Sequence, residues 1–181
     1  MLKEFEKYQG MNVLKYFLEN PNLEIHIKEL ARKLKISPAT SKKFCDLFNK
    51  KKFLIKEKKG NSIFFRLDNK SNYIKLLKKT YSLLKIKENI EEINKDGIKT
   101  IAVYGSYASG EYSNNSDLDL IIITRKKELN FKNIQKLQDK LKIEINITKM
   151  TYFEWEELKK EKNSFAKEIL LNHFIVYGGE L

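Results

Sequence analysis

The fold is decided by one stretch of the chain, Val103-Tyr-Gly-Ser-Tyr-Ala-Ser-Gly-Glu-Tyr-Ser-Asn-Asn-Ser-Asp-Leu-Asp-Leu120. The apolar residues 101–104 predict a short buried strand, and Gly105 then allows a sharp turn and the close approach of a ligand to the backbone. Residues 106–109 are long enough for about one helical turn, which Gly110 can end in a left-handed conformation. A helix that begins at Ser106 would direct free backbone N–H groups toward an anion.

The second half of this stretch opens a strand with two aspartates. Residues 117–123 predict this strand, and because side chains alternate between its faces, Asp117 and Asp119 point the same way. Two carboxylates about 7 Å apart along the backbone are well placed to share Mg²⁺. Each half alone has an ordinary structural explanation, as a turn or as a solvated strand end. Together, at this spacing, they favour nucleotide chemistry.

The combination resembles the signature of the polymerase-beta-like nucleotidyltransferase superfamily, in particular its small prokaryotic branch, the minimal nucleotidyltransferases. The resemblance is carried by Gly105-Ser106, Gly110 and Ser116-Asp117-Leu-Asp119-Leu120, and it covers the chain from about residue 97 onward. It implies that Gly105, Ser106 and Ser116 bind a nucleoside triphosphate, with ATP the expected one. It also implies that Asp117 and Asp119 hold Mg²⁺ for transfer of a nucleoside monophosphate to a hydroxyl. Because such proteins often resemble antitoxins, a partner protein or toxin is an expected acceptor.

Members of this superfamily take a third carboxylate from a later strand, which directs attention to Glu144. Residues 131–141 predict a helix, and residues 142–148 then alternate between apolar and polar side chains. If that strand lies beside the Asp117 strand, Glu144 would reach the metal or accept the proton of the attacking hydroxyl. An ordinary strand facing solvent would present Glu144 in the same way, so both interpretations stay open.

The resemblance has one departure, in the short helix after the Gly-Ser turn. Family members often carry a basic residue there, whereas this chain has Tyr107 and Ser109. Arg125 or a lysine from elsewhere is the alternative source of positive charge. The departure favours a second hypothesis, in which the chain is a DNA-binding transcriptional regulator whose nucleotidyltransferase fold is a nucleotide sensor or inactive.

The charge of the chain is unevenly distributed. The 181 residues carry a net charge of +12, of which +9 falls in residues 1–70. A polyanion is therefore expected to meet the N-terminal part. The single cysteine excludes an internal disulfide. We expect a cytoplasmic protein without a membrane partner, since the chain lacks a signal peptide and any apolar run near the roughly 18 residues that a span needs.

The N-terminal part resembles a winged helix-turn-helix domain. Helices are predicted at residues 11–18, at residues 27–34 and from Pro38 to about Lys50, with Ser37 as the N-cap of the third. A hairpin is predicted from residues 53–56 and 62–67 around Lys59-Gly-Asn61. The predicted fold class is therefore α+β: a winged helix-turn-helix (1–70), a connecting helix (71–96), and a nucleotidyltransferase domain with a mixed sheet flanked by helices (97–181).

The candidate DNA contacts fall on the third helix and the hairpin. The N-terminal end of such a helix enters the major groove, while lysines on the hairpin meet phosphates. The predicted residues are Thr40, Ser41, Lys42, Lys43, Lys56, Lys58 and Lys59. Double-stranded DNA is the expected partner, although a solvated lysine-rich surface or a protein-contact module has the same composition.

The connecting helix is predicted at residues 73–93, with an apolar stripe formed by Ile74, Leu77, Tyr81 and Leu84. The stripe would either pack onto the chain's own domains or pair with a second copy in a homodimer. Further on, residues 164–172 predict a helix and residues 174–177 a last strand that closes the sheet.

Overall fold

The computed structural model describes residues 7–93, 96–125, 129 and 131–181. Contacts divide the chain into two compact units, the first ending at Lys78 and the second beginning at Lys79. Parts of all three predicted segments lie outside the described residues, namely residues 1–6, 94, 95, 126–128 and 130. Over the part of the chain that the structure describes, no helix is both long and apolar enough to span a bilayer.

Before residue 70 the described chain folds into three helices and three strands: α1 (Gln9–Glu19), β1 (Glu24–His26), α2 (Ile27–Leu34), α3 (Pro38–Lys50), β2 (Leu54–Lys59) and β3 (Ser62–Leu67). The strands form an antiparallel sheet in the order β1-β3-β2. The three predicted helices and the predicted hairpin are all present. Strand β1 was not predicted, because three residues are too few to reveal a period of two.

The start of α3 has the predicted cap, but the buried face of the helix differs from the prediction. The Ser37 hydroxyl accepts a hydrogen bond from the Thr40 N–H at 3.0 Å. Ser41, predicted on the exposed face, is fully buried and donates to the Ile27 carbonyl at 3.3 Å. Leu47 is 43 % exposed, whereas Cys45 is fully buried. Small residues therefore line the inward face, and an apolar pattern does not detect them.

Helix α4 (Asn72–Asn89) is shorter than predicted, and a 3₁₀ turn (Ile90–Glu92) follows it. The residues that it buries with the turn recur every four positions: Ile74, Lys78, Ser82, Ile86 and Ile90. The predicted stripe shares only Ile74 with this face. Lys78 and Ser82 are satisfied there by hydrogen bonds to the Asn69 side chain at 3.3 Å and to the Lys79 carbonyl at 2.9 Å. Because two of the buried residues are polar, the spacing of apolar side chains does not reveal the buried face of α4.

The remaining elements build a four-stranded sheet with helices: β4 (Ile98–Tyr104), α5 (Gly105–Ser109), β5 (Leu118–Thr124), α6 (Phe131–Leu141), β6 (Ile145–Met150), α7 (Tyr152–Lys160), α8 (Ser164–Leu171) and β7 (Phe174–Gly178). The sheet order is β6-β5-β4-β7. Strand β6 is parallel to β5, and the other pairs are antiparallel. The predicted mixed sheet flanked by helices is confirmed.

Successive side chains of β5 pack in two different apolar layers. Leu118, Leu120 and Ile122 belong to a cluster with residues of α4 and α6. Ile121 and Ile123 belong to a second cluster with Trp155 of α7 and with residues of α8. Because side chains alternate along a strand, Asp119 shares the second face with Ile121. The core therefore fixes which side of the sheet carries the carboxylate.

Helix α7 was not predicted, although its first residues carry a recognisable signal. The Thr151 hydroxyl accepts from the Glu154 N–H at 3.2 Å, and the Glu154 carboxylate accepts from the Thr151 N–H at 2.6 Å. This reciprocal pair is a capping box, which satisfies two backbone donors that the first turn would otherwise leave unpaired.

Replacing Thr151 by Ala should lower the free energy of unfolding by about 1 kcal/mol, because a backbone donor loses its cap. Urea denaturation followed by the fluorescence of Trp155 measures this, since Trp155 is the single tryptophan and lies in α7 itself. Thr151→Ser keeps the hydroxyl and serves as the matched control. An equal loss in both variants would show that the hydroxyl does not stabilise the helix.

Candidate active site

The centre of the site is the contact between the turn after β4 and a carboxylate of β5. Tyr104, the last residue of β4, pairs directly with Asp119. The next residue, Gly105, has a φ of +68°, and a Cβ added to it would lie 2.5 Å from Asp119 Oδ2. Only glycine therefore allows both the left-handed backbone and the close approach of the carboxylate.

Helix α5 forms a single turn that ends, as predicted, at left-handed Gly110. The rings of Tyr107 and Tyr112 stack with centroids 4.3 Å apart, and both side chains are buried. Burial, with a smaller contribution from the charge of Asp117, raises the pKa of Tyr107 to about 12. Tyr107 is thus a neutral packing residue that anchors α5 to the loop leading to β5, and it supplies no positive charge.

Ser116, predicted to bind nucleotide, shapes the loop immediately before Asp117. Its hydroxyl accepts a hydrogen bond from the Ser113 N–H at 2.8 Å and lies 3.2 Å from the Ser113 hydroxyl. Ser106, also predicted to bind nucleotide, lies in α5, where its carbonyl accepts from the Glu111 N–H at 2.9 Å. The structure therefore brings Ser116 next to the first aspartate and Ser106 next to Gly105.

The side chain of Asn146 joins the two aspartates. Strand β6 runs parallel to β5 with Asn146 opposite Asp119. The Asn146 amide nitrogen lies 3.2 Å from Asp117 Oδ2 and 3.4 Å from Asp119 Oδ1, as donor to both. The alternation of residues 142–148 had placed Asn146 on the predicted polar face, so the signal was present but had been attributed to Glu144.

Glu144, the predicted third carboxylate, is not grouped with the two aspartates among the described residues, and its role at a metal stays a prediction. Lys142 ends α6 in a left-handed conformation with φ +56°, and β6 begins only at Ile145. Glu144 therefore lies in a turn, where its carbonyl accepts from the Leu118 N–H at 2.8 Å. Its exposed side chain lines a separate, open depression. Among the described residues, no three His, Cys, Asp or Glu side chains are grouped to hold a metal ion.

The electrostatic environment of Asp117 and Asp119 favours the binding of a positive charge. Burial raises the pKa of Asp119 above its ordinary value; the hydrogen bond from Asn146 opposes this rise, and the charge of Asp117 adds to it. Within the described part of the chain, neither aspartate forms an ion pair. Two carboxylates that share one neutral donor fit Mg²⁺, which favours one or two carboxylates together with substrate phosphates over an all-protein cage.

One wall of the site is formed by Tyr104. Its hydroxyl is 2.9 Å from the Thr148 hydroxyl of β6, and its ring meets Phe165 of α8 edge-on, with centroids 5.8 Å apart. These contacts tie the end of β4 to β6 and α8 on the face that carries Asp119. The residues around the carboxylates are thereby fixed from three elements.

The predicted DNA-contacting residues differ in their exposure and in their hydrogen-bond and ion-pair partners. Lys42, Lys43 and Lys58 are exposed, and the Thr40 hydroxyl accepts from Ser37 at 2.9 Å. Lys56 pairs with Asp46 at 2.8 Å, and Lys59 pairs with Glu24. The hydrogen bond to Glu24 raises the pKa of Lys59. With Ser41 buried, the exposed cations near the N-terminal end of α3 are Lys42 and Lys43.

Comparison with known proteins identifies the family. Residues 83–177 match the family model described as "Nucleotidyltransferase domain". A relative from Methanocaldococcus jannaschii, named "Putative protein adenylyltransferase MJ0604", is 33 % identical over 82 residues, which are 44 % of this chain and 79 % of the relative. The chain therefore belongs to the nucleotidyltransferase domain family, and it is a transferase enzyme.

Two solved structures show a more distant likeness. One is described as "Crystal structure of the toxin-antitoxin with AMP-PNP"; it is 18 % identical, with a TM-score of 0.36, and the match covers 61 % of this chain and 76 % of that one. The other is a mutant of the toxin-antitoxin MntA-HpeT; it is 15 % identical, with a TM-score of 0.36, and the match covers 56 % of this chain and 74 % of that one.

Gly105→Ala should disrupt the site in two ways, through a left-handed backbone costing about 1–2 kcal/mol and through collision with Asp119. Gly60→Ala is the matched control, because Gly60 has a similar φ of +60° but nothing within 4 Å of an added Cβ. Thermal unfolding and the binding of a fluorescent ATP analogue are measured for both. We expect loss of nucleotide binding in Gly105→Ala alone; retained binding there would contradict the steric argument.

Proposed function

We propose that this enzyme transfers a nucleoside monophosphate from a nucleoside triphosphate to a hydroxyl, with Mg²⁺ held by Asp117 and Asp119. The hydroxyl oxygen bonds to the α-phosphorus, the bond from the α-phosphorus to the oxygen of the β-phosphate breaks, and pyrophosphate leaves. The observation that carries the proposal is the convergence of these carboxylates on the glycine turn at Gly105. Membership of the nucleotidyltransferase family supports it. ATP is the proposed nucleotide, and it agrees with the adenylyl transfer in the name of the relative.

In this proposal each residue of the turn and strand has a separate task. Gly105 leaves the backbone open to the phosphates, which Ser106 and Ser116 would bind. Asp117 and Asp119 would hold the cation, and Asn146 holds the two carboxylates toward each other. Mg²⁺, when bound, would offset the negative charge that develops on the phosphoryl oxygens. Glu144 is assigned no part in this arrangement, because among the described residues it is not grouped with the two aspartates.

The proposed acceptor is a hydroxyl on a partner protein, with a toxin-like partner the particular candidate. The name of the curated relative, a protein adenylyltransferase, supports a protein acceptor. The site agrees with a large acceptor, because Asn146 beside the aspartates is exposed to solvent and Asp117 is partly exposed. A macromolecular hydroxyl could therefore approach the phosphate from outside.

Transfer should depend on the aspartate pair. Cell lysate incubated with Mg²⁺ and α-labelled nucleoside triphosphates should yield a labelled product, and Asp117→Asn/Asp119→Asn should abolish it, because neutral amides cannot replace the anionic ligands. Asp139→Asn, which removes an exposed carboxylate of α6, is the control and should leave labelling unchanged. Nucleotide binding without any labelled product would instead support the nucleotide-sensor hypothesis.

We further propose that residues 1–70 form a winged helix-turn-helix that binds double-stranded DNA in the cytoplasm. In this proposal residues 71–96 connect it to the nucleotidyltransferase domain, residues 97–181. The order of α1, α2 and α3 followed by the β2–β3 hairpin supports this, as does the +9 net charge of residues 1–70. Lys42 and Lys43 are the main proposed contacts from α3, and Lys58 from the hairpin. Lys56 and Lys59 would first have to exchange their carboxylate partners for phosphates.

Lys42→Ala/Lys43→Ala should weaken duplex binding at all sequences and flatten its salt dependence, with a change in slope of about 1 per lost phosphate contact. Fluorescence anisotropy with a labelled duplex at several salt concentrations measures both quantities. Lys136→Ala/Lys167→Ala removes two exposed lysines from the second unit and gives a control of equal charge. If both double variants lose the same affinity, α3 is not the DNA-binding element.

A further inference from the structure

The side chain of Asn146 keeps the two carboxylates of the proposed site together in the free protein. The amide nitrogen donates to one oxygen of Asp117 at 3.2 Å and to one oxygen of Asp119 at 3.4 Å. The β5–β6 register fixes its Cα opposite that of Asp119. A single side chain thus holds both carboxylates toward one point.

The ligand set around that point has little negative charge. Its members are two carboxylates and one neutral amide, and among the described residues no third acidic side chain joins them. Glu144 lies just before β6, but its side chain lines a depression formed with Gln138 and Lys142. Because cation affinity rises with the number of charged ligands, this set is expected to bind a free divalent cation weakly.

We propose that Asn146 is a positioning residue that keeps Asp117 and Asp119 converged while leaving the pair with only weak affinity for a divalent cation until a nucleoside triphosphate is bound. The triphosphate supplies the anionic oxygens that the amide does not. The site then takes the cation and the nucleotide as one ligand, and metal alone binds it only weakly. This inference rests on the proposed nucleotidyl transfer and specifies how the site is loaded.

The arrangement has a physical advantage over a third carboxylate. Three acidic groups at one point would repel one another in the free protein. An amide donor offsets part of the repulsion between the two carboxylates, since a hydrogen bond to a charged group stabilises it. Compared with a third carboxylate, Asn146 therefore stabilises the two aspartates in the free protein but gives the site a lower affinity for metal.

The test measures Mn²⁺ binding to the full chain by electron paramagnetic resonance, with and without a non-hydrolysable ATP analogue. The wild-type protein should bind Mn²⁺ weakly alone and much more tightly with the analogue. Asn146→Asp should bind Mn²⁺ alone on the order of tenfold more tightly than wild type, because it adds a charged ligand. Asn146→Ala, which lacks both donor and charge, should show no such gain.

Asn172→Asp makes the same chemical change at an exposed position after α8 and should leave Mn²⁺ binding unchanged. Equal Mn²⁺ affinity of wild type and Asn146→Asp without nucleotide would overturn the proposal, as would an equal gain in Asn146→Ala. Weaker Mn²⁺ binding in Glu144→Gln would make Glu144 the third ligand and overturn it too. Trp155 fluorescence checks that each variant is folded.

These outcomes are separable from failure of the proposed function. If the Asp117→Asn/Asp119→Asn protein still transfers nucleotide, the proposed reaction site fails, whatever Asn146 does. If transfer requires the aspartates but Asn146→Asp leaves Mn²⁺ binding unchanged, only the role of Asn146 fails. Metal affinity and transfer are measured independently, so each result bears on one proposal.

Discussion

The second unit of this protein depends on the close contact between the Gly105 turn and the Asp119 carboxylate. The pairing of Tyr104 with Asp119 brings the end of β4 against the start of β5. A side chain at position 105 would occupy the place of the carboxylate oxygen. The absence of a Cβ therefore sets the position of α5, and the Tyr107–Tyr112 stack then fixes the loop that returns the chain to β5.

The parallel pairing of β5 and β6 adds the next constraint. The long connection through α6 brings β6 beside β5 in the same direction, as a parallel pair requires. Its register brings Asn146 to the aspartates. One apolar layer keeps that register, because a shift of one residue would move Ile145 and Ile147 of β6 out of it. The polar groups of the site are thus positioned by apolar packing.

The sequence was sufficient where the determinants are local. The strand before Gly105, the left-handed end at Gly110 and the common face of Asp117 and Asp119 follow from neighbouring residues. The start of β6 could not be placed correctly, because Lys142 is left-handed and the alternating pattern does not register this conformation. Residues of non-glycine type seldom adopt it, so nothing in the composition of that turn indicates it.

Other differences arose because burial did not follow hydrophobicity. Ser41, Lys78 and Ser82 are buried with hydrogen-bond partners, and an apolar stripe cannot reveal them. Leu47 remains exposed on α3 for the converse reason: the inward face is already taken by Ser41 and Cys45. Helix α7 was detectable from Thr151 and Glu154, whose spacing is that of a capping box.

The most direct test of the account is a crystal structure of the protein grown with Mn²⁺ and a non-hydrolysable ATP analogue, with the metal located by its anomalous scattering. The account predicts a Mn²⁺ peak between Asp117 and Asp119, with the triphosphate lying along the turn at Gly105 and Ser106. A peak on Glu144, or a nucleotide bound away from this turn, would contradict it.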